Sequence, residues 1–156
     1  MKRMKLFFTL SIVFITLGSV SILFMPLSVQ YSNSSGKITQ IVNGLVFWLS
    51  FIAGYIMIWL ANKERKALYG RPKSRRVGMF RVFSNRYAKV ADILTAVSFV
   101  CFVGMLIFGG SSSYVCIILL FLFVLSIHMH ALLNGLVFDI LITKAKKNEE
   151  RRHYDD

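Results

Sequence analysis

Five polar side chains lie inside or at the edge of strongly apolar stretches, and they are the residues most able to do chemistry. They are Asp92, His128, His130, Asn134 and Asp139. Ionisable groups within a membrane-spanning helix are costly and usually face protein or water, so they mark a functional site by default. We therefore treat these five residues as a candidate intramembrane polar site.

Helical geometry limits which of these side chains can act together. At about 100° per residue, His128 and Asp139 share one face of a helix, whereas His130 and Asn134 share another. His128 and Asp139 would lie about 16 Å apart along the axis and could not touch. The two imidazoles point in nearly opposite directions, so we expect no metal ion bound by both. His130 and Asn134, four residues apart, are expected to form a hydrogen bond.

Two interpretations of the histidines are open. A histidine that faces a polar path could carry protons, because an imidazole ordinarily titrates near neutral pH. Alternatively, neutral imidazoles tie the helix to its neighbours through hydrogen bonds. The second interpretation is favoured, because no acidic residue is expected at the depth of the histidines. Asp92 is instead expected near the start of its helix, paired with Lys89 or with an arginine of the preceding basic segment.

Four apolar blocks must position these residues. A bilayer core is about 30 Å thick and a helix rises about 1.5 Å per residue, so each crossing needs about 20 apolar residues. The sequence predicts an all-α bundle of four transmembrane helices in a single membrane domain over residues 1–156, without a soluble catalytic domain. The predicted helices are at about 6–25, 41–61, 88–108 and 114–136, the last of which could continue to 143; a basic cytoplasmic loop spans 62–87 and a basic tail 144–156. The first block is longer than a signal-peptide core and no A-x-A-like cleavage site follows it, so we expect it to remain as a helix.

The net charge of +12 is distributed in a way that orients the chain. Of its 19 Lys and Arg residues, all except Lys37 fall on one side of a four-helix topology. Because short cytoplasmic segments are enriched in Lys and Arg, both termini are predicted to be cytoplasmic, in a multi-pass protein of the plasma membrane. The same distribution argues against nucleic acid as the partner of these charges.

The longest basic stretch lies between the second and third predicted helices. In its second half, apolar and aromatic residues are interleaved with arginines, as in segments that lie in the membrane interface. Anionic lipid head groups are the expected partners of these charges, and the alternative is that the charges only hold the topology. The candidate lipid contacts are Arg71, Lys73, Arg75, Arg76, Arg81 and Arg86.

One face of the second predicted helix carries small and polar residues. They are Asn43, Ser50, Gly54 and Ala61. Small residues four apart let membrane helices approach closely. We therefore expect this face to pack against another helix, either within the chain or across a homo-oligomer.

The motifs of membrane enzymes are missing from the sequence. It contains no C-x-x-C, G-x-S-x-G, Walker A or H-E-x-x-H motif and no acidic cluster suited to Mg²⁺. An enzyme is thus the least favoured class, and no cofactor is expected. The favoured function is an accessory or interaction subunit in the lipid bilayer, bound to a larger membrane protein or to copies of itself. The alternative is an oligomeric transporter or channel subunit for an ion or small solute that uses His128 and His130.

Overall fold

Helices make up almost the whole of the described chain. The computed structural model describes residues 1–24, 34–70, 81–108 and 113–155. Its helices are α1 (Lys2–Ser21), α2 (Ser34–Tyr69), α3 (Arg86–Phe108), α4 (Ser113–Leu133) and α5 (Leu136–Asp155), and a single 3₁₀ turn, Ile22–Phe24, follows α1. Four segments are long and apolar enough to cross a membrane: Lys2–Phe24, Lys37–Tyr69, Arg86–Ile107 and Tyr114–Leu133. The prediction of an all-helical chain with four such helices is confirmed for the described residues.

Helix α2 is longer than the sequence pattern indicated. It has 36 residues and continues past the predicted end at Ala61 as far as Tyr69. The continuation consists mainly of Lys, Glu, Arg, Ala and Leu, which are strong helix formers. Gly70, with a φ of 71°, follows the helix in the left-handed conformation that glycine adopts without strain. The first part of the predicted basic loop is therefore helical.

The apolar run after Tyr114 is divided between two helices and does not form one helix as far as residue 143. Helix α4 ends at Leu133 and α5 begins at Leu136. Between them, the Gly135 N–H donates to the Leu132 carbonyl at 3.1 Å, which is a tighter turn than the α-helix makes. A Cβ atom at residue 135 would lie 2.9 Å from the Leu132 oxygen, so the close approach depends on glycine.

The membrane-length helices form two pairs. Helix α1 packs along α2, α3 packs along α4, and α4 joins the pairs through its contacts with α1. The buried core contains Met4, Phe8, Ile15, Phe51, Ala61, Leu132 and Val137. Helix α3 packs mainly against α4, and its other sides carry exposed apolar residues such as Ile93 and Val100. Apolar surface exposed on this scale suits lipid or a partner protein.

The small-residue face of α2 lies against α1. A Cβ atom at Gly54 would come within 2.7 Å of Ile15 Cγ1, and Ser50 and Ala61 are buried. The Asn43 side-chain amide donates to the carbonyl of Ser21 at 3.1 Å. Of the two alternatives for this face, the structure therefore supports packing within the chain.

Gly54→Leu should lower the free energy of unfolding by about 2 kcal/mol, since over-packing a close contact costs about 1–3 kcal/mol. The new side chain would collide with Ile15 and separate α1 from α2. Gly44→Leu is the matched control, because a Cβ atom at Gly44 meets nothing within 4 Å. Titration with SDS, followed by far-UV circular dichroism, measures both changes. Equal stability of the two variants would contradict a close contact at Gly54.

Candidate functional site

The carboxylate of Asp92 is the centre of a buried group of polar side chains between α3 and α4. Its Oδ1 atom lies 2.5 Å from His130 Nδ1 and accepts a hydrogen bond from Asn134 Nδ2 at 2.9 Å. Its Oδ2 atom accepts the Phe83 backbone N–H at 2.6 Å. Only 3% of the Asp92 side chain and 13% of the His130 side chain are exposed. We refer to Asp92, His130 and Asn134 as the polar cluster.

Asn134 connects the polar cluster to the backbone on both of its sides. Its Oδ1 atom accepts the Ser84 N–H at 3.2 Å, and its Nδ2 atom also donates to the His130 carbonyl at 3.1 Å. The same Nδ2 atom lies 3.1 Å from His130 Nδ1, so the two side chains expected to meet from their spacing are in contact. Asn134 is fully buried. Because Ser84 precedes α3 and Asn134 follows α4, these bonds fix the start of one helix to the end of the other.

A short non-helical segment before α3 supplies the backbone donors. Phe83 has a φ of 55°, in the left-handed region that residues other than glycine rarely adopt. Such a residue costs about 1–3 kcal/mol and persists where other contacts hold it, as the Asp92 carboxylate does here. Asn85 caps α3: its Oδ1 atom accepts the Ala88 N–H at 2.8 Å. Its Nδ2 atom donates to the Leu133 carbonyl at 2.7 Å, which ties the cap to α4.

Asp139 lies beside the polar cluster but has a different partner. Its Oδ2 atom accepts a hydrogen bond from Arg81 Nη1 at 2.5 Å, and both side chains are about one-quarter exposed. Arg81, predicted as a lipid contact, is therefore paired with a carboxylate of the protein. Arg86 is exposed, and the other predicted lipid contacts lie outside the described residues; these are Arg71, Lys73, Arg75 and Arg76.

His128 lies apart from the polar cluster, on the side of α4 that faces α2. Its ring centroid is 4.6 Å from that of Phe51 and 5.9 Å from that of Tyr55. Its Nδ1 atom lies 2.6 Å from the Val124 carbonyl oxygen, one helical turn earlier. The structure thus brings together His130, Asn134 and Asp92, but it places His128 in an aromatic contact between helices.

The expectation that no acidic residue lies at the depth of the histidines is wrong. Asp92 contacts His130, and its described partners do not include Lys89 or an arginine. Asp92 lies 16 residues before the end of α3 at Phe108, and His130 lies 17 residues after the start of α4 at Ser113. In an antiparallel hairpin, equal distances from the connection place two residues at the same level. Counting residues from the connection needs only the helix ends predicted from the sequence, and it pairs Asp92 with His130. Estimating the depth of each residue within its own helix does not reveal this pair.

One side of the polar cluster opens into a cleft between α3 and α4. The cleft has a volume of about 360 Å³ and is lined by Asp92 and His130 together with Val82, Thr95, Phe99 and Phe123. A carboxylate and an imidazole in hydrogen-bond contact can exchange a proton. The Thr95 hydroxyl donates to the Ala91 carbonyl at 2.7 Å and so is not activated by this pair. Among the described residues, no three His, Cys, Asp or Glu side chains are grouped so that they could hold a metal ion.

Comparison with known proteins adds no assignment of fold or function. No protein-family model matches the sequence, and neither a curated protein nor a solved structure matches it. The function must therefore be inferred from the polar cluster and its surroundings.

Proposed function

We propose that this chain is a multi-pass protein of the plasma membrane, with four transmembrane helices and both termini in the cytoplasm. Four helices of membrane-crossing length support this topology, as does the placement of every Lys and Arg except Lys37 on one side of it. Single cysteines test it, introduced as Lys37→Cys or Lys63→Cys after Cys101 and Cys116 are replaced by alanine. In intact cells a membrane-impermeant thiol reagent should label residue 37 but not residue 63. The reverse pattern would contradict the orientation.

We further infer that the protein is a non-enzymatic interaction subunit of a membrane complex. The observation that carries this inference is that both oxygens of Asp92 are bound by groups of the same chain. A buried polar network whose members are satisfied makes packing rigid and specific. The polar cluster therefore serves to hold α3 in a fixed position on α4. The apolar outer side of α3 is then a defined surface for a helix of a partner protein.

Affinity purification from the native membrane in a mild detergent tests this function. We expect a second, unlike protein in a fixed ratio, and a particle mass equal to the sum of the two. Ile93→Trp, on the outer side of α3, should reduce the amount of partner recovered. Val13→Trp, on α1, changes a residue of similar exposure, 53% against 56%, and should leave the recovery unchanged. A particle that contains only this chain, or partner recovery that is equal in both variants, would contradict the proposal.

A transport function is the second candidate, and the contact between Asp92 and His130 is the observation that favours it. An acidic group beside a histidine is what a proton relay within a membrane requires, and this pair lines a cleft. However, α4 carries no charged residue between Tyr114 and Ile127, so a polar path across the membrane would need assembled protomers.

Proton flux in liposomes discriminates between the two candidates. For a relay, His130→Gln should abolish flux, because it removes the imidazole that contacts Asp92. His128→Gln is the matched control, because His128 contacts aromatic rings and its own helix. Flux that is unchanged by His130→Gln would exclude the relay.

A further inference from the structure

A groove runs between α1 and the first half of α5, apart from the polar cluster. It has a volume of about 720 Å³. Its walls are mainly apolar and include Phe8, Ile12 and Leu141, whereas two lysines, Lys5 and Lys144, also line it. The groove therefore combines a long apolar surface with two amines, and the position of those amines decides what it can bind.

Both lysines lie at the same end of the groove. The rings of Phe8 and Phe138 stack with centroids 5.6 Å apart and fix α5 against α1. Lys5 lies about one turn from Phe8 toward the start of α1, and Lys144 lies about 9 Å along α5 from Phe138. Lys144 Nζ is 5.1 Å from the ring centroid of Tyr69, at the end of α2 that lies beside the start of α1. The amines thus lie near the start of α1 and the end of α2, and the apolar wall extends away from them into the bundle.

This end of the molecule has a surplus of positive charge among the described residues. The antiparallel packing of α1 on α2, with Ile15 against Gly54, places Arg65 level with the first turn of α1. Arg65 is 5% exposed, and its Nε atom has no hydrogen-bond partner in the described part of the chain. Among the residues that the structure describes, Lys5, Arg65 and Lys144 form no salt bridge. The positive end of the α1 dipole adds to the same potential.

We propose that the groove binds one anionic phospholipid, whose phosphate contacts Lys5 and Lys144 and whose acyl chain lies along the apolar wall. Lysine ammonium groups bind phosphate as point charges, and the apolar wall beside them can cover the part of an acyl chain nearest the head group. A free phosphate ion would leave the wall uncovered, and an apolar partner helix would leave the lysines without a counter-charge. The groove lining does not include Arg81 or Arg86, and the proposal does not depend on the proposed interaction function.

Native mass spectrometry of the full chain in detergent tests the site, with dioleoyl phosphatidylglycerol and dioleoyl phosphatidylcholine as probes. We expect one tightly bound phosphatidylglycerol and weaker binding of phosphatidylcholine. The double variant Lys5→Gln/Lys144→Gln should bind phosphatidylglycerol about thirtyfold more weakly, from about fivefold for each basic residue. The matched control, Lys63→Gln/Lys89→Gln, removes the same charge outside the groove and should leave binding nearly unchanged.

A second variant tests the apolar part of the groove. Thr9 lines it and is exposed, so Thr9→Trp should fill the space and weaken the binding of both lipids without disturbing the core. Circular dichroism checks that each variant is folded, and Thr9→Trp decides the question if the lysine variant is not. Equal binding of the two lipids to the unaltered protein, equal losses in the two lysine double variants, or full binding by Thr9→Trp would overturn the proposal. Displacement of the lipid by inorganic phosphate would show a free-anion site and would also overturn it.

Discussion

Asp92→Ala should lower the free energy of unfolding by about 3 kcal/mol, because removing a buried carboxylate leaves the groups that contact it without an acceptor. The His130 ring, the Asn134 amide and the Phe83 N–H would all lose the carboxylate oxygen that they contact. The left-handed conformation of Phe83 would also lose the bond that holds it. Titration with SDS, monitored by far-UV circular dichroism, measures the change.

Two comparisons separate the role of the carboxylate from the loss of side-chain volume. Asp92→Asn keeps the shape of the side chain. Its amide nitrogen would face either the Phe83 N–H or the Asn134 amide, so in either orientation two hydrogen-bond donors would point at each other. We expect a loss of about 1–3 kcal/mol from the unsatisfied group. Asp139→Ala removes a partly exposed ion pair and should cost less than about 1 kcal/mol. Equal effects at Asp92 and Asp139 would show that the polar cluster does not determine stability.

Asn134→Leu should lower the free energy of unfolding by about 2 kcal/mol, since it leaves buried polar groups unpaired. The Ser84 N–H would lose its acceptor, and Asp92 would lose one of its three donors. Besides lowering the stability of the whole protein, the substitution should loosen the backbone near Ser84, because Asn134 joins the segment before α3 to the end of α4. Compared with the unaltered protein, hydrogen exchange should therefore accelerate more at the Ser84 amide than at amides in the middle of α1.

Asn43→Leu is the control for this prediction. Asn43 is partly buried in a helix contact and donates one hydrogen bond, to the Ser21 carbonyl at 3.1 Å. Its loss should cost about 0.6 kcal/mol, the average for a hydrogen bond between membrane helices. If both asparagine variants had the same stability and the Ser84 amide remained protected, Asn134 would not connect the two helices.

The four membrane-length helices could be predicted from the sequence because an apolar block of that length has few other structures available in a membrane. Their ends were less predictable. The extension of α2 to Tyr69 depends on residues that are charged and yet favour helix, so hydropathy alone ended the segment too early. The break after α4 depends on the close approach of Gly135 to the Leu132 carbonyl oxygen, and counting apolar residues along the sequence does not reveal such a contact.

Within the polar cluster, the contact along one helix was predicted and the contacts between helices were missed. The spacing of His130 and Asn134 is a property of α4 alone, and the side chains meet. The position of Asp92 depends on how α3 and α4 are aligned, which is set by their connection and not by either helix. The left-handed Phe83 has no signal in the sequence, because phenylalanine rarely adopts that conformation and is held there by a residue nine positions later.

Under the proposed topology, the position of Asp92 in α3 has a consequence for the order in which the helices enter the membrane during synthesis. An aspartate in a lone helix opposes insertion, by about 2.5–3.5 kcal/mol at the helix centre and by less near an end, and Asp92 is the seventh of the 23 residues of α3. Only four residues separate Phe108 from Ser113, so α4 can follow at once and bring His130 and Asn134 to the carboxylate. Helices α3 and α4 thus favour entry as a hairpin. Helix α1 can enter alone, because its buried serines bond to carbonyls of their own helix, as Ser11 does to Phe8.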